Sequence, residues 1–146
     1  ARLELLSKVS GVEIFNDIKS TTPWATIAAV SKLSPNVILV CGGRTKGLDY
    51  KVFAEKIRDK VKHTVVIKSE LSAPLVKLLP EDSYSEASDL KEGINSAFQK
   101  AKMGDKIVVS PAAAFFYTDF IKGKKSIKRL VEELSELQRD PETSSG

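Results

Sequence analysis

The sequence contains one cysteine, Cys41, and one histidine, His63, in 146 residues. A lone cysteine cannot form an internal disulfide, and the Cys/His spacing of a zinc site is absent. No stretch approaches the roughly 20 consecutive apolar residues that a membrane-spanning helix needs, and no basic-then-apolar leader is present. These absences favour a soluble cytoplasmic protein without a metal centre.

Two phosphate-binding motifs are also missing. Gly42 and Gly47 have the spacing of the glycines in Gly-x4-Gly-Lys-Ser/Thr, but Leu48 stands where that motif requires lysine. The Gly-x-Gly-x-x-Gly fingerprint of dinucleotide-binding proteins does not occur either. We therefore expect no phosphate cradle and no catalytic residue in this chain.

The charge is mildly basic, with a formal net charge of +4 and a pI of about 9.1. The dense basic residues lie within one run, residues 122–129. Such a run usually forms a solvated helix face, and no DNA- or RNA-binding signature accompanies it. We expect neither a nucleic-acid nor a membrane partner.

Strand and helix patterns alternate along the chain. Strands are predicted at Leu3–Val9, Val12–Asn16, Asn36–Val40, His63–Ile67, Ser83–Ala87 and Lys106–Val109. Helices are predicted from Thr22-Pro23 to Ser34-Pro35 and at Asp49–Val61, Ser72–Leu79, Asp89–Ala101 and Lys124–Leu137. The alternation predicts an α/β fold: a Rossmann-like, doubly wound, mostly parallel six-stranded sheet with helices on both faces.

The first two strands are expected to form an N-terminal hairpin around Ser10-Gly11. In the first helix, Trp24, Ile27 and Ala28 are expected to line one face. The domain is expected to span residues 1–139, with residues 140–146 as a disordered tail or an expression remnant.

In an open α/β sheet, ligands bind beyond the carboxyl ends of the strands. The loops after three predicted strands carry cations and neutral donors, and they run into helix-like segments whose free amides favour anions. These residues are expected to converge on one rim: Lys19, Thr21, Arg44, Lys46 and Ser110. The combination suits a small ligand with a carboxylate or a phosphate.

Several of these residues also have simpler interpretations. Lys19 and Arg44 could be ordinary solvated loop cations, and Asp17 a turn former. Cys41 follows a buried strand and lacks a partner base, which favours a small core residue over a nucleophile. His63 begins a strand and is expected to be structural.

Four segments carry a family resemblance when taken in order: Arg2-Leu3-Glu4, Asn16-Asp17-Ile18-Lys19-Ser20-Thr21, Gly42-Gly43-Arg44-Thr45-Lys46-Gly47-Leu48-Asp49, and residues 104–114 with Ser110-Pro111-Ala112-Ala113-Ala114. Together they resemble the third domain of the Mur ligases, specifically of the UDP-N-acetylmuramoyl-L-alanine:D-glutamate ligases. The resemblance covers residues 2 to about 137.

The resemblance implies one domain of an ATP-dependent ligase of peptidoglycan precursor synthesis. In such ligases ATP phosphorylates a carboxylate of UDP-N-acetylmuramoyl-L-alanine, and the amine of D-glutamate attacks the acyl phosphate. Arg2 and Asp17 fall at positions that contact ATP. Lys46 and Thr21 fall at positions that hold a D-glutamate carboxylate, with the charge of Lys19 nearby.

In this family the P-loop and the Mg²⁺ ligands belong to a central domain, and the UDP site to an N-terminal one. ATP and Mg²⁺ are therefore expected to be bound mainly outside this chain, which docks the amino acid and closes over ATP.

The resemblance breaks at Phe115, where the family usually has a serine that grips the second glutamate carboxylate. Phe116 and Thr118 follow in a segment about two residues shorter than usual, and Thr118 and Ser110 are the replacement donors. Two alternatives stay open: a sister Mur ligase that adds another amino acid, or a non-catalytic module that binds an anion or a nucleic acid.

Overall fold

The computed structural model describes residues 3–114 and 126–139. The strands are β1 Glu4–Val9, β2 Val12–Asn16, β3 Val37–Cys41, β4 His63–Ile67, β5 Tyr84–Ala87 and β6 Lys106–Val109. The helices are α1 Pro23–Leu33, α2 Lys51–Lys60, α3 Ser72–Val76, α4 Leu90–Lys100 and α5 Ile127–Arg139, with a 3-10 turn at Glu81–Ser83.

The six strands form one sheet in the order β1-β2-β6-β3-β4-β5. β1 and β2 are antiparallel and every other pairing is parallel, which confirms the mostly parallel sheet. The predicted hairpin is also present. Ser10 and Gly11 both have positive φ, 52° and 81°, as a two-residue turn between twisted strands requires.

Each face of the sheet is covered by its own layer of helices. In β3, Val37, Leu39 and Cys41 point to the layer that contains α1, α2 and α3. Ile38 and Val40 point to the layer that contains α4 and α5. All five side chains are buried, as expected for a strand covered on both faces, and the doubly wound arrangement is confirmed.

The first helix begins as predicted but turns a different face inward. Thr22 is its N-cap and accepts a hydrogen bond from the Ala25 amide at 3.2 Å. The buried positions are Pro23, Thr26, Ala29 and Val30, whereas Trp24 and Ala28 are exposed. The predicted face of Trp24, Ile27 and Ala28 is therefore not the buried one, although Ile27 is half-buried. The buried stripe includes a polar residue, Thr26, which hydrophobicity alone does not select.

Several element boundaries differ from the predicted ones by one or a few residues, and for three of them the structure shows a local reason. β3 begins after Asn36, because Asn36 has a φ of 67° and cannot be extended. α2 begins at Lys51, because the Asp49 carboxylate accepts the Lys51 amide at 2.9 Å and shapes the turn before the helix. α5 begins at Ile127, since the hydroxyl of Ser126 accepts an amide of its first turn at 3.1 Å.

The predicted domain end at residue 139 coincides with the last described residue. The tail at 140–146 lies outside the described residues and stays a prediction. Among residues 3–114 and 126–139, no helix is both long and apolar enough to cross a membrane.

At the edge of the sheet where the parallel strands begin, Asp105 makes a buried ion pair. Its carboxylate accepts a hydrogen bond from Lys62 Nζ at 2.6 Å and one from the Lys102 amide at 2.8 Å. Burial by itself raises the pKa of Asp105, but the hydrogen bonds from Lys62 and Lys102 and the charges of these lysines outweigh burial and lower it. The folded state therefore favours the ionised carboxylate.

We predict that Asp105→Asn lowers the free energy of unfolding by about 1.5–3 kcal/mol at neutral pH, because charge-assisted hydrogen bonds are lost. Asp105 has a lowered folded pKa, so its contribution is present above the unfolded value of about 3.9. It disappears as the pH falls through the folded pKa. Urea denaturation of the wild type and of Asp105→Asn over a range of pH should give free energies of unfolding that converge below about pH 4. Asp82→Asn, at an exposed position, is the control. A difference in the free energy of unfolding between the wild type and Asp105→Asn that did not change with pH would contradict the prediction.

Candidate functional site

The carboxyl ends of β2, β6 and β3 lie side by side, because these strands are adjacent and parallel. The segments that follow them are residues 17–22, 110–114 and 42–47. The chain after β2 leads to α1 on one face of the sheet, while α5, which follows β6 in sequence, packs on the other. Where neighbouring strands lead to helices on opposite faces, a ligand crevice is expected at the strand ends.

The 110–114 segment is hydrogen-bonded to both of its neighbours. On one side the amide of Ala112 donates to the carbonyl of Ser20 at 3.0 Å. On the other, the amide of Gly42 donates to the carbonyl of Pro111 at 3.1 Å. The three segments are therefore connected by backbone hydrogen bonds, while the predicted convergence of their cationic side chains stays a prediction.

Asp17 lies at the centre of a buried polar cluster. Its Oδ2 accepts a hydrogen bond from Ser110 Oγ at 2.7 Å, and Ser110 Oγ lies 2.7 Å from Thr26 Oγ1. Asp17 is 4% exposed, and Thr26 and Ser110 are 0% exposed. Ser110 was expected to be a neutral donor on the rim, but its hydroxyl is enclosed between Asp17 and Thr26. In this conformation it holds Asp17 rather than facing a ligand.

The 42–47 loop is shaped by close contact with the 110–114 segment. Arg44 and Ala114 exchange two backbone hydrogen bonds of 2.9 Å. The amide of Gly43 donates to Ser69 Oγ at 3.0 Å, and that of Thr45 donates to Glu70 Oε1 at 2.8 Å. The loop is thereby fixed to the β6 side by its backbone and to the β4 side by side chains.

Sequence reasoning missed Tyr50 as a link between these segments. Its hydroxyl donates to the carbonyl of Ala112 at 2.6 Å, and the ring is buried. Burial raises the pKa of Tyr50 to about 12, with smaller contributions from Cys41 and Glu70, so the hydroxyl keeps the proton that it donates. Ala112 has a φ of 64°, a conformation that costs an alanine roughly 1–2 kcal/mol and that this bond helps to hold.

The predicted rim residues lie on the outside of this connected surface. Lys19, Thr21, Arg44 and Lys46 are all exposed, so their side chains can reach a ligand. Lys46 has a φ of 52°, in the left-handed region that non-glycine residues rarely occupy. Strained residues cluster at ligand sites, but Ser10, Asn36 and Ala112 share a positive φ, so the role of Lys46 stays a prediction.

Four predicted site residues lie outside the described residues: Arg2, Phe115, Phe116 and Thr118. Their assignments stay predictions. The geometry accordingly describes the Asp17 and Lys46 sides of the site but not its border after Ala114.

Cys41 and His63 take no part in this surface. Cys41 is buried below it, and burial raises the pKa of its thiol to about 12, so it is not a nucleophile. His63 lies at the opposite edge, with Nε2 2.9 Å from Ser85 Oγ. Burial, helped by the charge of Lys100, lowers its pKa. Among the described residues no three His, Cys, Asp or Glu side chains are grouped to hold a metal.

A groove of about 610 Å³ between α4 and α5 lies away from the strand ends. Its lining includes Ile94, Leu130 and Leu134 together with Lys91 and Glu133. None of the predicted rim residues lines it. The concave surface relevant to the predicted ligand is therefore the crevice at the strand ends.

The sequence has many relatives. The family model for the glutamate ligase domain of the Mur ligases matches residues 1–113. A UDP-N-acetylmuramoylalanine--D-glutamate ligase from Thermoanaerobacter sp. (strain X514) is 32% identical over 139 residues, which cover 91% of this chain and 31% of the relative. One from Ralstonia nicotianae is 35% identical over 118 residues, 79% of this chain and 23% of the relative. The chain thus spans about a third or less of the length of these relatives.

Solved structures share the fold at low sequence identity. A domain from a putative UDP-N-acetylmuramate:L-alanyl-gamma-D-glutamyl-meso-diaminopimelate ligase of Haemophilus ducreyi superposes with a TM-score of 0.64 at 17% identity, covering 94% of this chain and 99% of that one. The MurF ligase of Thermotoga maritima, solved with ADP, gives 0.52 at 17% identity, covering 92% of this chain and 30% of that one. Both similarities support the α/β architecture.

We predict that Gly43→Ala destabilises the chain more than Gly47→Ala does, by over about 1 kcal/mol, because it adds a clash to backbone strain. Both glycines have positive φ, 148° and 78°. A Cβ on Gly43 would lie 2.5 Å from the Ala114 carbonyl oxygen, whereas one on Gly47 meets nothing within 4 Å. Thermal unfolding measures the difference, and amide exchange at Arg44 should rise only in the Gly43 variant. Equal destabilisation would show that the contact with Ala114 is unimportant.

Proposed function

Since this chain belongs to the Mur ligase family, through its match to the glutamate ligase domain over residues 1–113, we propose that it is the amino-acid-docking domain of a ligase that joins D-glutamate to UDP-N-acetylmuramoyl-L-alanine. The reaction consumes ATP and belongs to peptidoglycan precursor synthesis, in the cytoplasm. The relatives that carry the D-glutamate name are matched along 79–91% of this chain. This similarity favours the D-glutamate ligase over a sister enzyme and over a non-catalytic module.

The observation that carries the proposal is the crevice edge itself. Lys19, Thr21 and Lys46 stand exposed on two loops that the 110–114 segment joins by hydrogen bonds. D-glutamate carries two carboxylates, which need cations and N–H or O–H donors. Its amine must remain free and neutral to attack. The exposed Glu70 carboxylate on this edge already accepts hydrogen bonds from the amide and hydroxyl of Thr45.

The proposed roles follow from burial and charge. Lys46 and Thr21 hold a carboxylate of the amino acid, and Lys19 adds positive charge, with Arg44 beside them. Asp17 meets ATP from its buried position, and Ser110 positions Asp17. Arg2 at the phosphates, and Phe115, Phe116 and Thr118 at the second carboxylate, complete the proposal from the sequence.

ATP chemistry needs parts that this sequence does not contain. It has no Gly-x4-Gly-Lys-Ser/Thr segment, so the phosphates and Mg²⁺ are proposed to be held by another domain of the longer enzyme. Near-attack geometry brings reacting atoms to about 3–3.5 Å. The docking domain is therefore proposed to close against the nucleotide-bearing domain before the amine reaches the acyl phosphate.

We predict that Lys46→Ala in the full-length enzyme raises the KM for D-glutamate roughly 10- to 150-fold, from the loss of about 1.5–3 kcal/mol of charge-assisted hydrogen bonding. Steady-state kinetics with each substrate varied in turn measures this change. Lys56→Ala, an exposed lysine on α2, is the matched control and should leave the KM unchanged. A loss that fell mainly on ATP would place Lys46 in the nucleotide site.

We predict that the purified 146-residue chain turns over no ATP, with or without D-glutamate and precursor, because it lacks the phosphate cradle. A phosphate-release assay measures this, with the full-length enzyme as the positive control. ATP turnover by the chain alone would contradict the division of labour proposed above.

A further inference from the structure

We propose that Thr26 is a positioning residue of the nucleotide site: acting through Ser110, it orients the carboxylate of Asp17 so that one oxygen faces the ligand. The proposal rests on the assignment of Asp17 to ATP made above. It adds a residue of α1 that neither the sequence motifs nor that assignment includes.

Counting protons fixes the direction of the chain of hydrogen bonds. Ser110 has one hydroxyl proton, which it donates to Asp17 Oδ2 at 2.7 Å. Ser110 Oγ and Thr26 Oγ1 are also 2.7 Å apart, and since the Ser110 proton is committed, Thr26 must be the donor. The order is Thr26 to Ser110 to Asp17, across three elements separated by 84 and 93 residues in sequence.

The two oxygens of Asp17 are in different situations. Oδ2 accepts the hydrogen bond from Ser110. In the described part of the chain, no side-chain oxygen or nitrogen is both buried and unpaired, and no hydrogen bond there uses Oδ1. Oδ1 therefore reaches the loop surface, where a ligand can approach. Thr26 and Ser110 are 0% exposed, so they act on a ligand only through Asp17.

The hydrogen bond from Ser110 selects one rotamer of the Asp17 carboxylate, whose orientation would otherwise be loosely defined. The terminal torsion of an aspartate is broad and roughly two-fold, so the carboxylate can turn even where its backbone is fixed. Here the backbone is held by the Asp17 amide, which donates to the Val109 carbonyl at 2.8 Å, and the carboxylate is held by Ser110. A fixed carboxylate oxygen accepts hydrogen bonds and repels phosphates. Its partner is thus a hydroxyl or amino group of the sugar or base.

The test compares two substitutions in the full-length enzyme. Thr26→Val keeps the shape and removes the hydroxyl, while Thr26→Ser keeps the hydroxyl. Thr26→Val is expected to raise the KM for ATP roughly 3- to 10-fold, the effect of one hydrogen bond, and to leave the KM for D-glutamate within about twofold. Thr26→Ser is expected to stay near wild type for ATP. Equal increases in both KM values, or no rescue by serine, would overturn the proposal.

A double-mutant cycle with Asp17→Asn separates positioning from a general loss of packing. If Thr26 acts through Asp17, Thr26→Val adds little to the KM for ATP in the Asp17→Asn background. Full additivity would overturn the proposal. If Thr26→Val does not fold, Ser110→Ala, which removes the hydrogen bonds of Ser110 with both Thr26 and Asp17, takes its place in the cycle.

The cycle also distinguishes this inference from the one on which it depends. An Asp17→Asn enzyme with unchanged KM for ATP would remove Asp17 from the nucleotide site, and Thr26 with it. If Asp17→Asn raised the KM for ATP but Thr26→Val did not, only the positioning role of Thr26 would be overturned.

Discussion

β6, although the last of the described strands in sequence, is inserted between β2 and β3, and the arrangement of the predicted site depends on this pairing. Because β6 is parallel to both neighbours, the 110–114 segment emerges between the loops that follow β2 and β3. It donates to Ser20 on one side and exchanges hydrogen bonds with Arg44 on the other. The loops after β2 and β3 are thereby joined through the 110–114 segment.

Much of this fold could be predicted because its signals are local. Val12–Asn16 and His63–Ile67 match β2 and β4 at both ends, since each strand is a short run bounded by turn-forming or polar residues. The loops that carry the rim residues could be identified from the sequence because they come directly after predicted strands. The roles of Thr26 and Ser110 did not, because their hydroxyl–hydroxyl contact spans 84 residues and each looks locally like a helix residue or a loop donor. The positive φ of Ala112 could not be predicted either, because glycine rather than alanine is the residue that normally indicates such a conformation.

The Asp105 end of the sheet contributes to stability, whereas the Asp17 end is the one proposed to contact the ligand. At one end a buried carboxylate, Asp105, is matched by Lys62 and by a backbone amide. At the other end the Asp17 carboxylate accepts a hydrogen bond from one hydroxyl, that of Ser110, and Lys19 and Lys46 are exposed on loops. Removing Lys62, whose side chain is 39% exposed, leaves the buried Asp105 carboxylate without its charged partner, which is costly. Removing an exposed cation such as Lys46 costs the fold little. Side chains that suit a ligand can therefore occupy the rim with little effect on the free energy of unfolding.

The same exposure limits what the rim can do alone. A carboxylate that meets Lys19 or Lys46 in water gains little, because both ions are well solvated and the ion pair is screened. The interaction strengthens when water is excluded and the local dielectric falls. In the proposed ligase a second domain supplies this exclusion as it closes. The amino acid is then proposed to be held tightly only in the closed state, in which the acyl phosphate is within reach of its amine.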